Sequence, residues 1–383
     1  MRQIIKSEVL KLLYNKKNII CLMLIVIVTF GICLYYQNMD HNYDEQQMNE
    51  YIMIEKYADS QITTLYDQKD YLKANGTLND EANAALEKDI QFWQHNQLYA
   101  IQLRNYFKNR ESMDDKAYMK LQMEYNHDTL NGLKLGYEMN VNEKDIQMIN
   151  EQNDMFTYLI QHDISLLHSP YTMNVTNFLT RIFDNHMILI YLLITMIMMS
   201  DTFAGEFESS CYKWIFSAPV SRIGMLMMKL LFELIFALLS ILLSIGLISI
   251  YAMLTHGFGN MQYPVWISHE EIIPSMSYNI QSFLIHLNYL VCMLTISAFL
   301  ALFMKSYANL YLCMGVILLI VYYAPSLLGT SNILSSIPLF YANGFAILHK
   351  QVLISALQAN ISCIGVDVIV MGAMMAYIRK LDL

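Results

Sequence analysis

The sequence predicts an all-α polytopic membrane protein: six transmembrane helices, with a helical extracellular domain between spans one and two. Three observations carry this. Of 383 residues, 55% are hydrophobic and 15% charged, where soluble domains carry about 25% charged residues. Several stretches of roughly 20 residues hold few or no charges, the length at which a helix crosses about 30 Å of hydrocarbon. The charge is also partitioned. Residues 37–180 carry 23 acidic and 11 basic side chains, and the rest of the chain 10 acidic and 13 basic.

The elements follow in order. Residues 1–18 place Ile5, Val9, Leu12 and Leu13 at helical spacing, with Arg2, Lys6, Lys11, Lys16 and Lys17 around them. That suits an amphipathic helix lying in the membrane interface. The apolar run 19–36 is too long for a signal peptide and has no small-residue cleavage site after it, so it reads as a retained first span. Segment 37–180 is rich in Tyr, Asn, Gln, Asp and Glu. Ile90, Trp93, Leu98, Ile101 and Leu103, then Leu121, Tyr125, Leu130 and Leu133, recur at helical intervals, which predicts a bundle of three or four amphipathic helices. Asn75-Gly76 and Asn79-Asp80 mark a turn, with Asp80 the expected N-cap. Further spans are expected at about 183–199, 225–253, 283–304, 310–328 and 357–378.

Orientation follows from Lys and Arg near the span ends. Eleven lie in residues 1–18, 200–229, at Lys305 and at the C-terminus, and only Lys350 lies in the opposite short connections. Both termini are therefore expected in the cytoplasm, with 37–180 outside the cell membrane. An acidic extramembrane part argues against nucleic-acid binding. The six cysteines avoid 37–180 and form no Cys-x-x-Cys pair, which excludes a disulfide framework there.

Residues 201–225, DTFAGEFESSCYKWIFSAPVSRIGM, interrupt the apolar pattern on the inner face. Phe203, Phe207, Cys211, Trp214, Ile215 and Ala218 form a stripe, and Glu206, Glu208, Ser209 and Lys213 fall largely off it. A short amphipathic helix over about 202–218 is predicted. Pro219 ends it, since proline lacks an amide hydrogen and disfavours helix just before itself. Ser221 is placed to cap the next helix.

Glu206-x-Glu208, Pro219-Val220-Ser221-Arg222 and Lys229 together resemble the segment between the second and third spans in permease subunits of ABC-2-type (ATP-binding-cassette) exporters. The resemblance implies a coupling helix that docks on a separate ATPase subunit. Glu206, Glu208 and Trp214 would meet or orient toward that subunit. Pro219, Ser221 and Arg222 would shape the exit from the helix, and Lys229 would anchor the inner end of span three. It also implies two ATPase copies, a second permease, identical or homologous, and a bacterial cytoplasmic membrane as the setting. Ser209-Ser210 stands where the family often has Gly-Thr. The N-terminal segment resembles the family's connecting helix.

No Gly-x4-Gly-Lys-Ser/Thr occurs, so ATP and magnesium are expected in the partner and no cofactor in this chain. No catalytic constellation is found, and Ser268-His269-Glu270-Glu271 lacks the spacing of a metal site. Glu233 and Asp367 lie at membrane depth and are candidate pathway residues, with a local pair Lys229–Glu233 as the alternative for Glu233. The expected function is ATP-driven export of a solute, with a peptide or a lipid-like molecule as the expected cargo class. The alternative is a membrane-embedded sensor or scaffold whose outer domain binds a ligand without transport.

Overall fold

The computed structural model describes residues 9–110, 114–139, 141–184, 187–209, 221–268, 271–304, 306–328, 344–350 and 354–380. Residues 9–14 are helical, and Asn15 separates them from α1, Lys16–Ala74. Then come α2 (Asp80–Lys108), α3 (Asp115–Lys134), α4 (Glu143–Gln161), α5 (Val175–Asp184), α6 (Met187–Glu208) and α7 (Arg222–His256). A hairpin follows, β1 (Pro264–Ser268) and β2 (Glu271–Pro274). The chain ends in α8 (Ser275–Met304), α9 (Tyr307–Leu328), α10 (Gly344–Leu348) and α11 (Ala356–Arg379). Two compact units are formed, residues 36–172 and the remainder.

The helix that holds the expected first span, 19–36, continues beyond it: α1 is a single helix of 59 residues. The physical reason is the absence of any Gly or Pro between Gly31 and Gly76: a change from apolar to polar residues alters what a helix faces, not its backbone.

Among the described residues, the unit 36–172 contains the C-terminal part of α1 with α2, α3 and α4. Asn79, rather than Asp80, caps α2, its Oδ1 accepting the Ala82 amide at 2.7 Å. Asn142 and Asp145 form a capping box at the start of α4. Ala58, Ile62 and Trp93 form a small core with Phe92, Tyr137 and Met139 against it. Gly132 on α3 permits close approach there, since a Cβ would sit 2.5 Å from the Phe92 ring. A second aromatic group packs Tyr106 on Tyr118 at 4.0 Å, with Arg110 over Tyr106 and bonded to Asp44. The abundance of amides finds its use in a buried ladder. Tyr51 donates to Gln122, Gln122 to Asn126, and Asn126 to Gln152 and Asn153, all at 3.0 Å or less. Such groups are tolerated inside only when bonded.

In the other unit, four helices among the described residues are long and apolar enough to cross a membrane: α1, α7, α8 and α11. α5 and α6 make a fifth span if their 72° bend is counted as one broken helix, and α9 is apolar over residues 307–320. α8 is the centre. Its most apolar window is 56% buried, against 28% in α7 and 17% in α11, so the latter two offer most of their surface to lipid. Thr29 ties α1, α6 and α7 together at depth. Its hydroxyl donates to the Ile25 carbonyl (2.7 Å) and so accepts from Tyr191 (2.7 Å) and Ser244 (3.1 Å).

A short hairpin stands between α7 and α8 in the otherwise helical architecture. Pro264 pairs with Pro274, Val265 with Ile273 and Trp266 with Ile272. Both prolines stand at strand ends, where a missing donor costs least. Gly257 and Gly259 take positive φ, 79° and 82°, and the 257 and 258 carbonyls accept the Val175 and Thr176 amides. The turn after α7 therefore supplies acceptors to the first turn of α5.

Candidate functional site

The predicted coupling segment starts in the last turn of α6. There the helix macrodipole is negative, and a carboxylate is disfavoured unless cations offset it. Glu206 sits at that point, 9% exposed. Lys229 of α7 bonds one carboxylate oxygen and Lys11 the other. The Lys229 side chain is 3% exposed and that of Lys11 48%. One buried anion thus joins the N-terminal segment, α6 and α7. Glu233 lies one turn along the same helix as Lys229 and is itself 2% exposed.

Glu208 reaches a different element. Its Oε2 accepts the Tyr307 amide at 3.2 Å, the first residue of α9, where a helix leaves amides unbonded and favours an anion. Lys17 completes the arrangement. Its ammonium donates to the Ile197 carbonyl of α6 at 2.6 Å and to the Tyr311 hydroxyl of α9 at 3.1 Å. The base of the predicted coupling segment is therefore bonded to the N-terminal segment, α7 and α9 by charge-assisted hydrogen bonds, which are stronger than neutral ones.

Ser221 is the N-cap of α7, its Oγ accepting the Gly224 amide at 3.1 Å. Gly224 is needed there, because a Cβ would lie 2.6 Å from that oxygen. Arg222 opens α7. Trp214 and Pro219, and with them most of the 202–218 helix, lie outside the described residues. So do His269 and Glu270 of the metal-like run; among the described residues no group of three metal-ligating side chains converges. Asp367 accepts the Thr295 hydroxyl at 2.6 Å, linking α11 to α8. The candidate residues therefore fall in two places. Glu206, Glu208 and Lys229 share one junction, while Asp367 serves a separate helix contact.

Lys11, Lys17 and Tyr307 were missed as members of the junction. The basic N-terminal stretch reads as lipid-facing charge in sequence, and no periodicity reveals which lysine turns inward. A backbone amide such as that of Tyr307 leaves no sequence signal at all.

A family model described as ABC-2 family transporter protein matches residues 2–361. The chain belongs to that family. No curated protein matches it, and no solved structure does. As an ABC-2 family member it is a membrane protein of a transporter class whose membrane subunits have no ATPase of their own and partner with an ABC ATPase subunit.

Proposed function

We propose that this ABC-2 family chain is the permease subunit of an ATP-driven exporter and that the Glu206 junction couples it to the ATPase. In this reading the six spans are α1, the broken pair α5–α6, α7, α8, α9 and α11. The junction faces the cytoplasm of a bacterial cell, and 36–172 is extracellular. Two permeases, identical or homologous, stand over two ATPases that hold ATP and magnesium. Closure of the ATPases displaces the segment after Glu208, and cargo leaves between the permeases.

The observation that carries the reading is the double engagement of Glu206, next to the Glu208–α9 bond. A push on the end of α6 needs stiff attachments to reach the spans, and bonded, buried charge supplies them where a solvated loop would not. Ser221 and Arg222 restart the chain as α7 at a defined residue, so displacement enters there too. Glu206 acts in this scheme as a positioning residue, since its carboxylate is turned inward. Contact with the ATPase falls to the segment that follows, Trp214 and Pro219 included. Glu233, buried on α7, and Asp367, half-buried on α11, would border the route of the cargo. Amphipathic peptides or lipid-like molecules suit that route, because they already partition into bilayers.

The test is co-purification and turnover. The chain should bring down an ATPase from its native membrane. Glu206→Ala and Arg222→Ala should each lower transport-linked ATP hydrolysis while leaving the protein in the membrane. Unchanged hydrolysis and transport in both variants would refute the coupling role. Ligand capture by the outer domain with no associated ATPase would favour a sensor or scaffold instead.

A further inference from the structure

α10 and the residue after it form a contact that the coupling scheme does not use. Four of its five residues, Gly344, Ala346, Ile347 and Leu348, are buried. At one end, Gly344 lies against His286 of α8: a Cβ on Gly344 would stand 2.5 Å from the imidazole Cε1 and 2.9 Å from Nε2. Phe183 of α5 stacks on the same ring at 5.7 Å. At the other end, His349 stacks on Phe345 at 3.8 Å and meets Tyr278 of α8 edge-on at 5.9 Å. Tyr278 precedes His286 by two turns, about 12 Å, so α10 runs antiparallel to α8 with a histidine at each end.

The bonding of the two rings is one-sided. The His286 Nδ1 lies 2.7 Å from the Ser282 carbonyl, which only accepts, so Nδ1 carries the hydrogen. Nε2 of His286 and Nε2 of His349 are fully buried and have no hydrogen-bond partner among the described residues. Burial pushes the His349 imidazole down to about 4. Among the described residues neither Nε2 meets a carboxylate. Charged groups on neighbouring elements are the Lys350–Glu271 pair next to His349 in the chain, Arg181 on α5, and Asp367 of α11, which is bonded to Thr295. Two further atoms on the His286 side of α8 are buried without a partner, Ser282 Oγ and Tyr289 Oη. At 100° per residue, 282, 286 and 289 fall within roughly 60° of one face.

We propose that His286 and His349 are paired proton-binding sites that hold α10 on α8 while neutral and release it when protonated. A protonated Nε2–H in this seam would face no acceptor, and a buried cation without a partner is costly. Moving a five-residue helix costs little by comparison and admits water to both rings. The two imidazole nitrogens of this seam, buried without a hydrogen-bond partner among the described residues, are what a surface looks like when its second state is wet. The ligand is the proton alone, and neither ATP nor a partner subunit enters, so the outcome is independent of the exporter reading.

The experiment is hydrogen exchange on the full chain in lipid nanodiscs at about pH 7.5 and about pH 5, a window that brackets histidine titration. Labelling times are scaled to match intrinsic amide chemistry. In the unmodified chain, protection of amides 344–350 should fall by about tenfold or more at the lower pH, the change expected from one unit of pKa difference. The double variant His286→Asn, His349→Phe should keep the same protection at both. Equal protection at both pH values in the unmodified chain overturns the proposal, as does an undiminished loss in the double variant. Should that variant not insert, His349→Phe alone, which retains an aromatic ring on Phe345 and Tyr278, must reduce the pH response; an unreduced response overturns the proposal equally.

Discussion

Removing the Glu206 carboxylate probes the junction with an asymmetry that the structure makes quantitative. Glu206 has two lysine partners, whereas the ion pair given to Lys229 is with Glu206, and the Lys229 side chain is only 3% exposed. Glu206→Gln keeps the shape and removes the charge, leaving a buried ammonium beside a neutral amide. Breaking a buried pair in this way costs about 3–5 kcal/mol. Lys229→Met leaves the carboxylate still bridged by Lys11 and should cost about half as much. Lys11→Met touches a half-exposed partner, and exposed pairs contribute about 0–1 kcal/mol. The double variant Glu206→Gln, Lys229→Met removes both buried charges and should recover most of the loss, giving a coupling energy of about 2 kcal/mol or more. The assay is unfolding of the full chain by titrating a denaturing detergent into mixed micelles, followed by near-ultraviolet circular dichroism. The cycle should be repeated with Glu233→Gln, because that carboxylate lies one turn from Lys229. A coupling below about 0.5 kcal/mol, within the range of independent sites, or a Lys11→Met cost equal to that of Glu206→Gln, would refute the reasoning.

Other predictions concern separate elements. Glu208→Ala should destabilise α9 by about 1 kcal/mol through loss of the Tyr307 amide bond, with Glu208→Asp unable to restore it and Glu208→Gln restoring part; unfolding of the same chain measures this. Tyr191→Phe should cost about 1 kcal/mol or more, because Thr29 loses one of two buried donors, and an unchanged transition would show that the α1–α6–α7 tie is dispensable. Gly344→Ala drives a methyl into His286 and should cost about 1–3 kcal/mol, with His286→Ala as a second change suppressing the loss. Tyr137, pushed up to about 12 by burial and by its bond to Asp89, is stabilised in its neutral form. Its contribution is whole below pH about 10 and is lost as pH rises toward about 12; alkaline difference spectra of Tyr137→Phe against the parent chain should lack one late-ionising phenol.

Much of the fold is legible in sequence because its signals are local. Apolar runs locate α7, α8, α9 and α11 to within a few residues, except that α8 begins eight residues earlier than its apolar run, at Ser275. The extra turns are polar and leave no hydropathy trace. The same blindness hid the continuation of α1 through residue 74: hydropathy reports the solvent a helix meets, and the backbone has no reason to break where that solvent changes. The hairpin at 264–274 was missed because each strand is five residues or fewer, too short for alternation to register. At the junction, Ser221 could be named in advance because a cap acts on the next three residues. Glu206 could be singled out by its motif resemblance as facing a partner subunit, but not as the inward carboxylate that two lysines share.

Composition and periodicity, then, determined what kind of molecule this is: a membrane protein with an acidic helical insert, an interrupted stretch before α7, and a family membership that short motifs already pointed to. Only the tertiary structure decided which charges meet. Lys11 and Glu206 are 195 residues apart and Lys229 lies 23 beyond, and choosing one lysine over its neighbours depends on how helices pack at that level. Side-chain periodicity decays within a helix, whereas desolvation of a carboxylate is set by everything that surrounds it in space.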